Sequence, residues 1–357
     1  MKQHIKLCSI LFLAACAVGC GKKEKNVVDA EKSSATPEST DFDSLMKKGI
    51  NSIAQRETGM AIEVTTKALE LRPESAEARL VAAQAAYRGE DFKKAYEYFS
   101  AVAKESSLPS ALRAKAYAGL GLVDYAQNDY DIARIEFHHA ILLDPRNEMA
   151  FYHLGKLYEE IYHFPVAARD QYRMFAHCSE QAHPGNARAK KVKETIVPRL
   201  NHDIDTQRAS GGGNATKAAP LVQEARLLRE KKQTSAAKKK YEEACKIDPQ
   251  SYDAALGYAE LVKETEKTAK GAEKAIKAYM RAASLKPGLS KNYLEAARLA
   301  REHEDTKIQA AEIMNCAVAH HPQDRKVLDL LIASLPIVGS EKQAKGWSEY
   351  RETLKRQ

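Results

Sequence analysis

Five times along this chain an alanine is followed seven residues later by a second alanine, and five residues after that by a proline. The triplets are Ala61, Ala68 and Pro73; Ala133, Ala140 and Pro145; Ala237, Ala244 and Pro249; Ala275, Ala282 and Pro287; and Ala310, Ala317 and Pro322. Residues seven apart lie on one face of an α-helix, about two turns from each other. Each triplet therefore describes a helix with a stripe of small residues. The proline lacks the N–H needed to continue the hydrogen-bond ladder and disfavours helical backbone in the residue before it, so it ends the helix. Two further segments, 91–102 and 164–174, carry the first alanine (Ala95 and Ala167) without the proline.

A second helical stretch precedes these segments. Tyr117, Leu120, Gly121 and Asp124 lead into the helix of Ala133, and Phe151, Leu154, Gly155 and Tyr158 occupy the same slots ahead of Ala167. The unit is helix, turn, helix and a proline-marked break. The first alanines fall at 61, 95, 133, 167, 237, 275 and 310, in steps of 34, 38, 34, 70, 38 and 35, where 70 is twice 35. On these residues the chain resembles the tetratricopeptide repeat family, whose period is about 34 residues. The resemblance covers roughly residues 42–176 and 218–323, with Ala83 and Arg298 standing where a first-helix glycine is expected. It implies an all-α fold, a helix-turn-helix solenoid in which one unit cannot cover its own apolar face and stacked units bury a continuous core. The strict alternation of a half-buried strand is absent.

The spacing also marks out domains. Residues 42–200 form an N-terminal array of four units plus a basic helix over 183–200. Residues 201–217 contain three consecutive glycines and no apolar pattern, which predicts a Gly-rich linker. Residues 218–357 form a C-terminal array of three units closed by a degenerate pair.

The N-terminus carries an address. Lys2 and Lys6 supply a positive n-region, and Ile5 to Ala15 supply a short apolar stretch, shorter than the roughly 20 residues needed to span a bilayer. Leu13-Ala14-Ala15-Cys16 resembles the lipobox of bacterial lipoproteins, with Ala17-Val18-Gly19-Cys20 a looser second match. The resemblance implies a signal segment over 1–19, fatty-acyl (palmitate-type) lipidation at Cys16 or alternatively Cys20, and residence in the cell envelope, at the outer membrane facing the periplasm. The polar stretch 20–41 is expected to be a flexible tether.

Chemistry is sparse. Cys178, Cys245 and Cys316 lie in separate units and form no disulfide framework. His138–His139 and His320–His321 are adjacent pairs whose side chains diverge on a helix, so no metal site is expected. No catalytic residues, enzymatic activity or cofactor are expected. Lys and Arg number 56 against 48 Asp and Glu, a net charge of +8, and the signs are interleaved as on solvated helix faces. No nucleic-acid partner is expected on that basis.

What remains is the inner groove that the repeat resemblance implies. Its first-helix positions hold Tyr87 and Arg88 in the second unit, Lys115, Leu122 and Tyr125 in the third, and Tyr152, Lys156 and Glu159 in the fourth. These are the candidate contacts to a protein or peptide partner. The resulting expectation is a membrane-anchored scaffold for protein–protein interaction, of the kind that assembles an outer-membrane or surface complex. The alternatives are an adaptor recruiting cell-wall enzymes and a cytoplasmic repeat scaffold.

Overall fold

The computed structural model describes residues 37–210 and 212–355. The lipobox cysteines Cys16 and Cys20, and the proposed tether up to residue 36, lie outside the described residues. Every regular element among the described residues is helical. Helices α1 (Pro37–Gln55) and α2 (Thr58–Leu71) make the first hairpin, α3 (Ala76–Arg88) and α4 (Phe92–Lys104) the second, and α5 (Ser110–Ala126) and α6 (Tyr130–Leu143) the third. The fourth is α7 (Glu148–Lys156) with α8 (Pro165–Ala182). A helical run follows as α9 (Ala187–Lys191) and α10 (Val197–Ser210). Four more hairpins are α11 (Ala215–Glu230) with α12 (Thr234–Ile247), α13 (Tyr252–Thr265) with α14 (Ala269–Leu285), α15 (Ser290–Arg301) with α16 (Gln309–His320), and α17 (Arg325–Ser334) with α18 (Glu341–Lys355).

The described chain divides into two compact units: 37–157 with Gln171–Lys193, and Tyr158–Asp170 with 194–355. In the first, α3 packs on α4 and α5, and first helices of successive hairpins touch, as α3 does α5. In the second, α12 packs on α11 and α13, and α15 meets α17.

Local chemistry explains where helices stop. All five marker prolines sit two residues beyond a helix end, and the residue between leaves helical backbone, with φ from −129° to −140° at Arg72, Asp144, Asp248, Lys286 and His321, fully extended at Asp144 and Asp248. That is the conformation a following proline enforces. The turns inside the hairpins use a different device. Arg56, Glu90, Asn128 and Lys232 take left-handed backbone with φ of 60–66°. The next residue then donates its N–H to the carbonyl five residues back: Glu57 to Ser52 (2.9 Å), Asp91 to Ala86 (3.0 Å), Asp129 to Asp124 (2.9 Å) and Gln233 to Leu228 (2.9 Å). This left-handed cap satisfies carbonyls that the helix end leaves open. The fourth hairpin varies the theme. A π turn over Leu157–Ile161 adds a residue, so Phe164 reaches six residues back to Tyr158 (2.7 Å), and the left-handed residue is His163.

In four hairpins packing is organised by an aromatic side chain of the second helix: Phe99 on α4, Phe137 on α6, Tyr172 on α8 and Tyr241 on α12. A Cβ placed on Gly121 of α5 would stand 2.7 Å from the Phe137 ring on α6, and one on Gly155 of α7 would stand 2.8 Å from the Tyr172 ring on α8. Gly119 meets the Phe99 ring of the preceding hairpin, and Gly257 of α13 meets Tyr241 of α12 in the same way. Phe137 and Tyr172 are thus received by a glycine of their own first helix, and Phe99 and Tyr241 by a glycine of the next. Phe99 and Phe137 are fully buried, worth about 1.5–3 kcal/mol each. Ala83 fills the expected glycine slot at 0% exposure. Arg298 does not: Ala297 is the buried residue there, and Arg298 is exposed and bonded to Glu295. The connection between α15 and α16 spans 302–308 and is longer than the others, which shifts the count by one.

Three expectations meet a different local structure. Helix α1 begins at Pro37, inside the stretch read as tether. The basic helix extends beyond 200 to Ser210, with a π turn at Val192–Ile196 immediately ahead of Pro198. A proline inside a helix loses one ladder bond and crowds the carbonyl four residues before it, and a widened turn accommodates both. The expected linker 201–217 is helical to Ser210 and again from Ala215. Its described break is docked: Asn214 N–H donates to the Ile247 carbonyl (3.0 Å), the Asn214 side chain caps α11 at Lys217 N–H (3.0 Å), and any Cβ on Gly213 would collide with the Asp248 carboxylate.

The glycine contacts generate a stability prediction. Gly121→Ala overpacks the Phe137 site at a cost of about 1–3 kcal/mol, only partly offset by about 1 kcal/mol of improved helix propensity. Gly59→Ala on α2, where nothing stands within 4 Å, gains propensity alone. Urea unfolding should show the first variant destabilised and the second neutral or stabilised.

Candidate functional site

The first-helix residues singled out by position fall into two groups. On α3, Tyr87 and Arg88 are half-buried. Tyr87 packs obliquely on Phe92 with ring centroids 5.8 Å apart, and burial pushes its hydroxyl up to about 12. Burial, helped by Arg56, pulls the Arg88 guanidinium below its usual range. Lys115 of α5 is half-buried as well. These three retain exposed surface.

The others are engaged with their neighbours. Leu122 is 1% exposed. Tyr125, Tyr152 and Lys156 are buried and cluster together in the first unit. The Lys156 ammonium lies 5.4 Å from the centre of the Tyr125 ring, a cation–π distance. Tyr152 packs edge-on against Phe175 at 5.2 Å, and the Arg188 guanidinium of α9 lies 5.1 Å above its ring. A residue of this same chain thus covers the Tyr152 face. Glu159, in the second unit, is half-buried and forms an ion pair with Arg199 of α10.

At the heart of the cluster lies His153, fully buried, stacked on Phe137 at 5.6 Å and edge-on to Tyr152 at 5.3 Å. Neither ring nitrogen has a hydrogen-bond partner among the described residues. Burial holds its pKa well below 6.5, with Lys156 and Arg188 adding to the effect. Nothing in the spacing of the sequence marked this residue.

The second unit carries first-helix residues that position counting in the later repeats would have found. Arg226 of α11 bonds Asp253 of α13 (3.0 Å), and Arg229 spans Glu260 and Glu264 of α13 (2.6 Å each). Lys263 of α13 then pairs with Glu295 of α15, which also bonds Arg298 (3.2 Å). Charge is thereby matched from one first helix to the next. Between α15 and α17 a cleft of about 460 Å³ opens, with Leu294 among its lining residues.

Cys178 and Cys245 are not activated nucleophiles. Burial raises Cys245 to about 11 and also raises Cys178, the latter aided by Glu148, so both stay protonated at neutral pH. Among the described residues no group of three or more His, Cys, Asp or Glu side chains is placed to hold a metal ion.

Two stretches match family descriptions of the tetratricopeptide repeat, residues 47–108 and residues 218–251. No curated protein matches the chain. Solved structures similar to it include the TPR2AB-domain:pHSP90 complex of yeast Sti1, at 14% identity and TM-score 0.27, covering 87% of this chain and 99% of that one. A tetratricopeptide repeat protein from Parabacteroides merdae is similar at 11% identity and TM-score 0.34, covering 83% and 99%. Pseudomonas aeruginosa PilF is similar at 16% identity and TM-score 0.27, covering 82% and 98%.

The buried imidazoles predict acid sensitivity. His138 is held at about 3 by burial and the nearby Arg134, and His320 at about 4 by burial and His321, against 6.5 in an exposed chain. With His153 they stay neutral when folded and charge on unfolding. The unfolded state therefore binds more protons below pH 6.5, and each histidine removes up to about 1.4 kcal/mol of stability per pH unit below that point. Unfolding midpoints should be flat above neutrality and fall from pH 6.5 towards pH 4. His153→Phe should reduce that slope by one proton's worth and stabilise more at pH 5 than at pH 8.

Proposed function

We propose that this chain is a lipid-anchored scaffold of a bacterial cell envelope that holds protein partners on its helix-hairpin arrays. The fold is that of a repeat scaffold for protein–protein interaction, and the observation that carries this reading is the repeated first-helix face. On α3 and α5 this face keeps Tyr87, Arg88 and Lys115 partly exposed, while buried rings and small residues do the structural task. Such an array offers an extended surface rather than a catalytic cleft.

The anchor rests on Leu13-Ala14-Ala15-Cys16 following a short basic and apolar leader. A single acyl chain binds a membrane reversibly, and two or more hold it stably. Attachment through Cys16, with the polar stretch to residue 36 as a leash, raises the local concentration of the arrays for partners at the same membrane without any added contact. Assembly of an outer-membrane or surface complex from the periplasmic side is the role this arrangement suits.

Metabolic labelling with an alkynyl palmitate analogue, followed by membrane fractionation, tests the anchor. The native protein should take the label and sediment with detergent-extractable membrane. Cys16→Ala should abolish labelling and accumulate the uncleaved precursor, whereas Cys20→Ala should not. Unchanged labelling in a chain lacking both cysteines would remove the anchor from the reading. Crosslinked pull-down from native membranes tests the scaffold: recovery of defined partner proteins is expected, and recovery of none would sink it.

A further inference from the structure

A cavity of about 400 Å³ lies inside the second unit, and none of the candidate partner contacts named above lines it. It is framed by the second helices α14 and α16, by α10 and by the turn that leads into α8, and Tyr293 of α15 is the one first-helix residue in its lining. Small-molecule sites have volumes of about 300–1,000 Å³. The wall is largely apolar. Phe164, Val166, Ile204, Met280 and Leu285 reach it from three separate stretches of chain.

No acidic residue lines the cavity, yet three polar groups there have unused bonding capacity. Arg281 of α14 is half-buried, and its Nε donates to the Pro249 carbonyl (2.8 Å). That bond holds the side chain in place and leaves its terminal nitrogens without a hydrogen-bond or ion-pair partner among the described residues. Tyr293 is only 4% exposed, and its hydroxyl, close to Cys316 of the same lining, has no hydrogen-bond partner among the described residues. His320 of α16 stacks on the Tyr293 ring at 6.3 Å, and neither of its nitrogens is bonded among the described residues. Neighbouring polar groups are satisfied locally. The Ser284 hydroxyl donates to the Arg281 carbonyl (2.8 Å), and the His321 Nε2 lies 2.8 Å from the Pro287 carbonyl. The exposed lysines of this unit keep their charge in water at little cost. A guanidinium and a hydroxyl held against an apolar wall lose hydration that no protein group repays.

We propose that this cavity binds a small monocarboxylate with an apolar alkyl tail, a ligand of the medium-chain fatty-acid class. The site is separate from the first-helix face and from the lipobox, and the inference does not rest on the scaffold reading. The terminal nitrogens of Arg281 hold the two carboxylate oxygens side by side. Tyr293 O–H and a His320 ring N–H supply further donors to the same head. The tail lies along Ile204, Leu285 and the adaptable Met280. One guanidinium matches one negative charge. A phosphate ester would bring a second charge to a lining that holds no other Lys or Arg.

The test is calorimetric titration of the full chain carrying Cys16→Ala and Cys20→Ala, so that no acyl group of its own competes. Decanoate should bind saturably with one site per chain, decanol at least about tenfold more weakly, and acetate undetectably. Arg281→Gln should weaken decanoate by about tenfold or more and leave decanol within about twofold. Tyr293→Phe should weaken decanoate by about threefold or more. Met280→Trp, which fills the cavity, should abolish binding of both. Lys217→Gln, an equal change in net charge at an exposed site, should change nothing. Circular dichroism melts establish that the variants are folded, and if Met280→Trp is not, the Arg281 and Tyr293 variants decide. No saturable binding of decanoate, or equal loss in the Arg281 and Lys217 variants, overturns the proposal. Decanol binding as tight as decanoate overturns the assignment of a carboxylate, and undiminished binding in folded Met280→Trp overturns the assignment to this cavity.

Discussion

Much of the packing depends on the contact between an aromatic ring on a second helix and the bare backbone of a neighbouring first helix. Phe137 fits because Gly121 has no Cβ, and Phe99 fits because Gly119 has none. Where the slot holds alanine, as at Ala83 and Ala297, the close approach of helix to helix is still permitted. A larger residue would force the helices apart and expose the apolar stripe that stacking must cover. Helix propensity argues against glycine in mid-helix by about 1 kcal/mol. The glycines persist in α5, α7 and α13 because burying a ring against the bare backbone outweighs that cost.

Turns convert this contact into a repeat. Pre-proline backbone forces a non-helical residue after each marked second helix, and a left-handed residue closes most hairpins within the pair. Both devices are local, so each unit is set by its own few residues and errors do not accumulate. The two π turns show how the array absorbs departures. One inserts a residue before His163, and the other makes room for Pro198, and in each case the helix continues with its buried face intact, as Tyr158 and Leu200 show.

Charge plays a separate part. The pairs running from α11 to α15 are half-exposed and contribute little to stability individually, about 0–1 kcal/mol each. Their value is in matching neighbouring first helices and in leaving the surface near neutral. Against that background Arg281 stands out, half-buried at a cavity with no acid in its lining, and the ligand chemistry assigned to the second unit follows from it. In the first unit the contrast runs the other way: Lys156 and Arg188 have turned inward onto tyrosine rings.

The amino-acid order by itself determined the hairpin, its period and its ends, because those rest on interactions within a few residues: alanine seven apart and proline two past a helix. Composition and spacing also located the candidate first-helix positions, and Tyr87, Arg88 and Lys115 do keep exposed surface. Only the tertiary structure decided that Tyr125, Tyr152 and Lys156 are buried together, with Arg188 from a later helix over Tyr152. It alone showed that Ala297 rather than Arg298 fills the glycine slot, and that the glycine-rich joint is docked against the end of α12. Burial and ion pairing depend on which distant residue arrives opposite a given position, and periodicity carries no information about that arrival.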